Sequence, residues 1–208
     1  MDSTTLEQGS AEWHAARLGK VTASRVADVA AKTKSGWGAS RKNYTAELVA
    51  ERLTGTTGER FTNAAMQWGT DTEPQARAAY EFFREATVTE VGLVIHPTIE
   101  MSAASPDGLI GDDGMLEIKC PNTATHIDTL INKTVPGKYI TQMQWQMACT
   151  GRQWCDFASF DPRMPENLRL FVVRVERDGE RIIELETMVR MFLAELDQTI
   201  ETLCKNAD

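Results

Sequence analysis

Residues 105–121, Ser-Pro-Asp-Gly-Leu-Ile-Gly-Asp-Asp-Gly-Met-Leu-Glu-Ile-Lys-Cys-Pro, decide the fold. They read as a β-hairpin. Gly111-Asp-Asp-Gly114 supplies the residues a tight turn needs. Met115 to Cys120 alternates apolar and polar, the period of a half-buried strand. On such a strand Glu117 and Lys119 share one face and Ile118 takes the other. The turn brings Asp107 back toward Glu117. Two carboxylates and an ammonium therefore converge, and Ser105-Pro106 and Cys120-Pro121 end the strands sharply.

Two acids at one point repel, and one of them takes up a proton unless a cation intervenes. Mg²⁺ suits the place, since it accepts a few carboxylates together with phosphate and water. An adjacent lysine adds a proton donor or acceptor, and the set is apparatus for phosphodiester hydrolysis. A solvated strand face with a weak ion pair is the competing reading. Against it, Glu117-x-Lys119 follows Pro-Asp at hairpin distance.

The 208 residues predict a single domain, with 42% hydrophobic and 25% charged content ordinary for a globular chain. No apolar run is long enough to cross a bilayer, and the N-terminus reads as no signal peptide. The expected location is cytoplasmic, with Cys120, Cys149, Cys155 and Cys204 as reduced thiols lacking C-x-x-C spacing. Nothing completes a nucleophile–base arrangement around Cys120 and His126. The net charge of −8 argues at first against nucleic acid. Its distribution argues the other way: Arg17, Lys20, Arg25, Lys32, Lys34, Arg41 and Lys42 crowd the first third, and the acids gather after Val175.

Capping signals predict helices over 11–18, 23–31 (capped by Thr22), 40–53 and, from the capping box Thr70-Asp-Thr-Glu73 with Pro74, 74–86. Residues 32–39 and 56–63 read as loops. Strands are expected over 88–96, 100–104, 107–110 and 115–120, helices over 124–132 and 138–150, and strands over 154–161 and 169–177. A turn at Asp178-Gly179 precedes a closing helix over 185–204. The fold class is α/β or α+β, a central mixed β-sheet with helices on both faces.

Trp13-His-x-x-Arg17-Leu-Gly19, Thr22-Ala-Ser24, Trp68-Gly69-x-x-x-Glu73, Ser105-Pro-Asp-Gly108, Leu116-Glu-x-Lys-Cys-Pro121, Gln142-x-Gln144 and Asp161-Pro-Arg-Met164 occur in that order. From about Trp13 to Arg181 the chain resembles the YqaJ-like viral recombinase family, the lambda-exonuclease group of the PD-(D/E)xK nuclease superfamily. The resemblance implies a restriction-endonuclease-like core. It also implies a processive exonuclease that digests the 5′-ended strand of duplex DNA to mononucleotides, leaving a 3′ tail for a phage single-strand annealing protein. A homotrimeric ring around double-stranded DNA ends, in a bacterial host, is implied as well.

The same resemblance assigns roles. Asp107 bridges two Mg²⁺ ions, for which Mn²⁺ substitutes, while Glu117 and the Ile118 carbonyl hold the inner one. Glu73 acts beside the metals through water, although a capping-box acid is an equal reading. Lys119 orients or deprotonates the attacking water, helped by a lowered pKa beside metals. Gln142 positions that water, with Gln144 the alternative. Arg17 and Ser24, joined by Ser105, anchor the terminal 5′-phosphate at a helix N-terminus. Met66 is a wedge between bases or an ordinary core residue, and Trp68 is read as core. Lys34 is a DNA-tracking cation or a solvated loop lysine. An endonuclease with the same metals and no terminal anchor, and a DNA-end-binding protein without catalysis, are the competing functions.

Overall fold

The computed structural model describes residues 2–34, 36–58 and 63–207. In chain order the elements are α1 (Ala11–Arg17), β1 (Val21–Thr22), α2 (Val26–Val29), β2 (Lys32–Thr33), β3 (Gly36–Trp37), α3 (Ala39–Thr54), α4 (Ala64–Arg84), β4 (Val88–Thr89), β5 (Val94–His96), β6 (Ile99–Ala104), β7 (Gly108–Ile110), β8 (Gly114–Lys119), α5 (Thr123–Asn132), α6 (Gly137–Thr150), β9 (Trp154–Phe160), β10 (Leu170–Glu176) and α7 (Gly179–Asn206).

The hairpin forms as its sequence dictates. Gly108 pairs with Leu116 and Ile110 with Gly114, so residues 111–113 make the loop, with Gly111 in the left-handed region at φ 50°. A side chain at Gly114 would meet the Trp154 ring at 2.2 Å, so glycine is required there by close approach. Strand β8 then runs parallel to β9, and β10 returns antiparallel. The result is a five-stranded mixed sheet in the order β10-β9-β8-β7-β4. A smaller sheet, β1-β6-β5, stands apart from it.

Both faces of the larger sheet are covered. Leu116 and Ile118 pack with Ala158 and Phe160 against Ala76 and Tyr80 of α4. Met115 and Phe157 pack on the other side against Met143 and Met147 of α6 and Ile182 of α7. Burying side chains on both faces makes β8 a central strand rather than the half-solvated one that its alternation predicts. The smaller sheet contributes Val21, Ile99 and Ala104 to a core shared by α2, α3, α6 and α7.

Several boundaries differ from the sequence reading. Helix α4 starts at Ala64, capped by the Asn63 side chain, and runs through Pro74. Glu73 is therefore mid-helix and caps nothing. The expected helix over 23–31 is a short 3-10 turn, Ala23–Arg25, leading into α2, and Thr22 gives no side-chain cap. Within the expected 32–39 loop, Lys32–Thr33 pairs antiparallel with Gly36–Trp37, and Ala39 already belongs to α3. The strand expected over 88–96 splits between the two sheets. Asp178 caps α7 through the Arg181 N–H, so the closing helix begins where a turn was expected. Half of the expected 56–63 loop, residues 59–62, lies outside the described residues.

Candidate active site

Strand β7 ends opposite Leu116, so Asp107 lies beside the next rung of β8. Its Oδ2 accepts the Ile118 backbone N–H at 2.6 Å. Glu117, fully buried, points the other way from Ile118 toward α6. Lys119 Nζ forms an ion pair with Glu117 Oε1. Gln142 Nε2 donates to the same oxygen at 2.6 Å, and Gln146 Nε2 donates to Oε2 at 2.6 Å. Helix α6 thus grips both oxygens of one carboxylate through residues one turn apart. Gln144 is not involved: it bonds the Glu176 carbonyl and the Asp178 N–H on the far side of the helix.

The electrostatics follow from this crowding. Burial, then the Glu117 and Glu73 carboxylates, push Asp107 well above the usual carboxylate range. Burial raises Glu73 as well, with Arg77 and Lys119 opposing; Arg77 bonds it at 2.8 Å. Burial works against the Lys119 charge, but Glu117 and Asp107 outweigh it and raise this group above an ordinary lysine. Without a metal, the two acids hold Lys119 as an ammonium; the lowered pKa expected of it belongs to the metal-bound site.

No cluster of three or more His, Cys, Asp or Glu side chains spaced to share an ion occurs among the described residues. The donors present still fit a hard divalent cation. Asp107, pushed up by burial and by the Glu117 carboxylate, is relieved by positive charge, and Mg²⁺ accepts carboxylates together with backbone oxygen, phosphate and water. Cys120 offers no soft ligand or nucleophile, since burial and then Glu73 and Asp107 push its thiol up to about 12. His126 is committed to Ser159 Oγ and the Leu168 carbonyl, so the Cys120–His126 pairing does not exist.

Two clefts meet here. One, of about 710 Å³, is lined by Glu73, Ile118, Lys119, Lys138, Tyr139 and Gln142. The other, of about 390 Å³, is lined by Arg17, Lys20 and Arg25 with Glu47 and Glu51. Ser24 and Met66 line both. Met66 is 57% exposed, which overturns its reading as a core residue. Trp68 is half-buried under the Arg163 guanidinium, 4.4 Å from the ring centroid, so it is neither plain core nor an open stacking platform. Arg17 closes α1 and lies 4.0 Å over the Trp13 ring. The Trp13 indole N–H donates to Ser105 Oγ at 3.0 Å, so Ser105 braces Trp13 and does not line the cleft with Arg17 and Ser24. Ser24 sits in a three-residue 3-10 turn, which does not make the helix N-terminus expected there. Lys34 is exposed in the β2–β3 turn and lines neither cleft.

The basic first third is partly neutralised within the fold. Arg25 pairs with Asp28 and Glu47. The acidic closing helix takes Arg41 through Glu195 and Arg52 through Asp197. Separation in sequence hid this pairing in space. Gln146 was also missed, although its spacing of four from Gln142 was the available signal.

A restriction-endonuclease-like sheet carrying acid, acid and lysine at the end of a central hairpin defines the class: a nuclease. The chain belongs to the YqaJ-like viral recombinase domain family, whose model matches residues 12–153. It is 58% identical to LHK-Exo, an alkaline exonuclease from Laribacter hongkongensis, over 95% of this chain and 98% of that one, with a TM-score of 0.89. The complex of LHK-Exo with dAMP superposes with a TM-score of 0.90 at the same identity and coverage. A phage-related exonuclease from Haemophilus somnus 129PT shares the fold at 19% identity, covering 88% of this chain and 96% of that one, with a TM-score of 0.74. No curated protein sequence matches the chain. Among the described residues no helix is long and apolar enough to cross a membrane.

Proposed function

We propose that the chain is a Mg²⁺-dependent exonuclease that digests the 5′-phosphorylated strand of linear duplex DNA to mononucleotides and leaves a 3′ tail. The observation that carries this reading is the junction of the two clefts. An acid–lysine–glutamine cleft and an arginine–lysine cleft share Ser24 and Met66. The dAMP bound to LHK-Exo supports mononucleotide release.

Asp107, Glu117 and the Ile118 carbonyl would hold two Mg²⁺ ions, with Mn²⁺ able to substitute and Glu73 assisting through water. The ions supply Lewis-acid stabilisation of charge on the phosphoryl oxygens. Lys119 orients or deprotonates the attacking water and stabilises phosphate charge. Gln142 orients the same water. Arg17 and Ser24 hold the terminal 5′-phosphate, with Ser105 steadying the floor through Trp13. Each cleavage exposes a new 5′-phosphate, and the anchor draws it forward by one nucleotide. Met66, between the clefts, parts the terminal base pair, and Lys34 follows the duplex. This reading places residues 1–208 as one domain in a homotrimeric ring, phage- or prophage-encoded, working in the host cytoplasm with a single-strand annealing protein.

Duplexes labelled separately at each end test it. With Mg²⁺ the 5′-phosphorylated strand shortens progressively and closed circles survive. Cutting of closed circles establishes an endonuclease instead, and end binding without any cleavage establishes a non-catalytic protein. Arg17→Ala is expected to lose about 10- to 100-fold on 5′-phosphorylated ends, the size of a charge-assisted hydrogen bond. Equal losses on 5′-hydroxyl ends remove the anchor.

A further inference from the structure

The two glutamines on Glu117 are not equivalent. Gln142 lines the larger cleft beside Lys119, and Gln146 does not. Gln146 has no solvent exposure, while Gln142 is half-buried. Lys119 and Gln142, which line the cleft, both bind Oε1, so this oxygen of the buried Glu117 lies on the cleft side. Oε2 is turned inward and held by Gln146 alone among the described residues. Gln146 Oε1 is buried there without a hydrogen-bond partner. Rotating the amide would set that oxygen against a carboxylate oxygen, so donation to Glu117 fixes its orientation. An amide oxygen buried without a donor costs stability. Packing alone would be served as well by a methionine or leucine, as Met143 and Met147 show on the same helix.

We propose that Gln146 is a positioning residue for metal binding: it fixes the Glu117 carboxylate and leaves Oε1 for a divalent cation entering from the cleft. Gln142 and Lys119 are the groups that yield Oε1 to that cation and turn to the attacking water. This rests on the nuclease reading above. Its consequence is a difference in sign between two residues of the same type, on the same helix, touching the same carboxylate. Removing the inner amide frees Glu117 to rotate and weakens metal binding, whereas removing the outer amide takes away a competitor. Loss of a hydrogen bond that orients a metal ligand typically costs about 10- to 100-fold in affinity.

The test is titration of the DNA-free protein with Mn²⁺, followed by electron paramagnetic resonance, with strand degradation measured over a range of Mg²⁺. Gln146→Met, nearly isosteric, is expected to weaken Mn²⁺ about tenfold. It raises the Mg²⁺ needed for half-maximal rate, and saturating Mg²⁺ restores most of kcat. Gln142→Met is expected to leave Mn²⁺ affinity unchanged or tighter while lowering kcat at saturating Mg²⁺. Unchanged Mn²⁺ affinity in Gln146→Met, or weakened affinity in Gln142→Met, overturns the assignment. If Gln146→Met does not fold, Gln142→Met decides by the same titration. A parental protein that neither binds Mn²⁺ nor degrades DNA overturns the nuclease reading itself, which separates the two failures.

Discussion

Glu117 on β8 and Asp156 on β9 are both without solvent exposure, yet they are surrounded differently. The strands pair Leu116 with Asp156 and Glu117 with Phe157, so the two acids face opposite sides of the sheet. Asp156 receives the Arg174 guanidinium at 2.8 and 3.2 Å and the Tyr80 hydroxyl at 2.8 Å, with Arg84 at 3.6 Å. Cations and donors outnumber acids there. Around Glu117 the donors are mostly neutral amides: Lys119 is the one cation shown beside Glu117 and Asp107, and the Glu117 and Glu73 carboxylates raise Asp107. The first arrangement is complete in itself, as a buried ion pair must be if it is to hold a fold together. The second is short of positive charge and opens on a cleft, which is the arrangement of a binding site.

The largest effect that can break this contrast is on catalysis. Asp107→Asn is expected to lower strand degradation by on the order of 10³-fold, with binding to duplex ends retained. Asp156→Asn is expected to leave the rate per folded molecule within about twofold, since it touches neither substrate nor the cleft. Comparable catalytic losses from both would mean that the buried acids do not divide into site and scaffold.

Stability should divide them the other way. Asp156→Ala strands the Tyr80 hydroxyl and a half-exposed Arg174, at a cost of about 2–3 kcal/mol in urea unfolding. Glu117→Gln removes a repulsion with Asp107 and is expected to leave the unfolding midpoint of metal-free protein unchanged or higher, because functional sites carry stored instability. A loss in Glu117→Gln as large as in Asp156→Ala would make Glu117 a structural acid.

The contrast also explains what the sequence made legible. Asp107, Glu117 and Lys119 lie within one hairpin, so local rules of turn and alternation brought them together before any tertiary contact was known. Gln142 and Arg17 required the family resemblance, since an amide or an arginine on a helix has no local signature. Pro74 misled the reading of α4, because a proline at a helix start and one inside a helix look alike when Thr70-Asp-Thr-Glu73 mimics a capping box. The partners of Arg41 and Arg52 were illegible for another reason. Glu195 and Asp197 are more than 140 positions away in the chain, and composition by segment cannot see such pairing.

The smallest expected effect, and the one most specific to the contrast, is the pH dependence of stability in chelator. Asp107 is raised above its ordinary 3.8 by burial and by Glu117 and Glu73, so above that value the unfolded chain releases a proton the folded chain retains. Stability from this group is present at low pH and lost as pH rises through the raised value. Asp161 has the opposite sign. Burial opposes its charge, but hydrogen bonds from Arg163 and Thr123 prevail and lower it from 3.8 to about 2. Its contribution is present above 3.8 and lost as pH falls toward about 2. Urea midpoints of metal-free protein should therefore fall as pH rises above 3.8 and through the raised value of Asp107, with Glu73 adding to the fall. Mg²⁺ should flatten that fall by favouring the ionised acids, and Asp107→Asn should flatten it without Mg²⁺. Asp161→Asn should leave this window unchanged and alter only the acid limb. A fall undiminished in Asp107→Asn would place the unpaired charge elsewhere and remove the distinction between the two faces of the sheet.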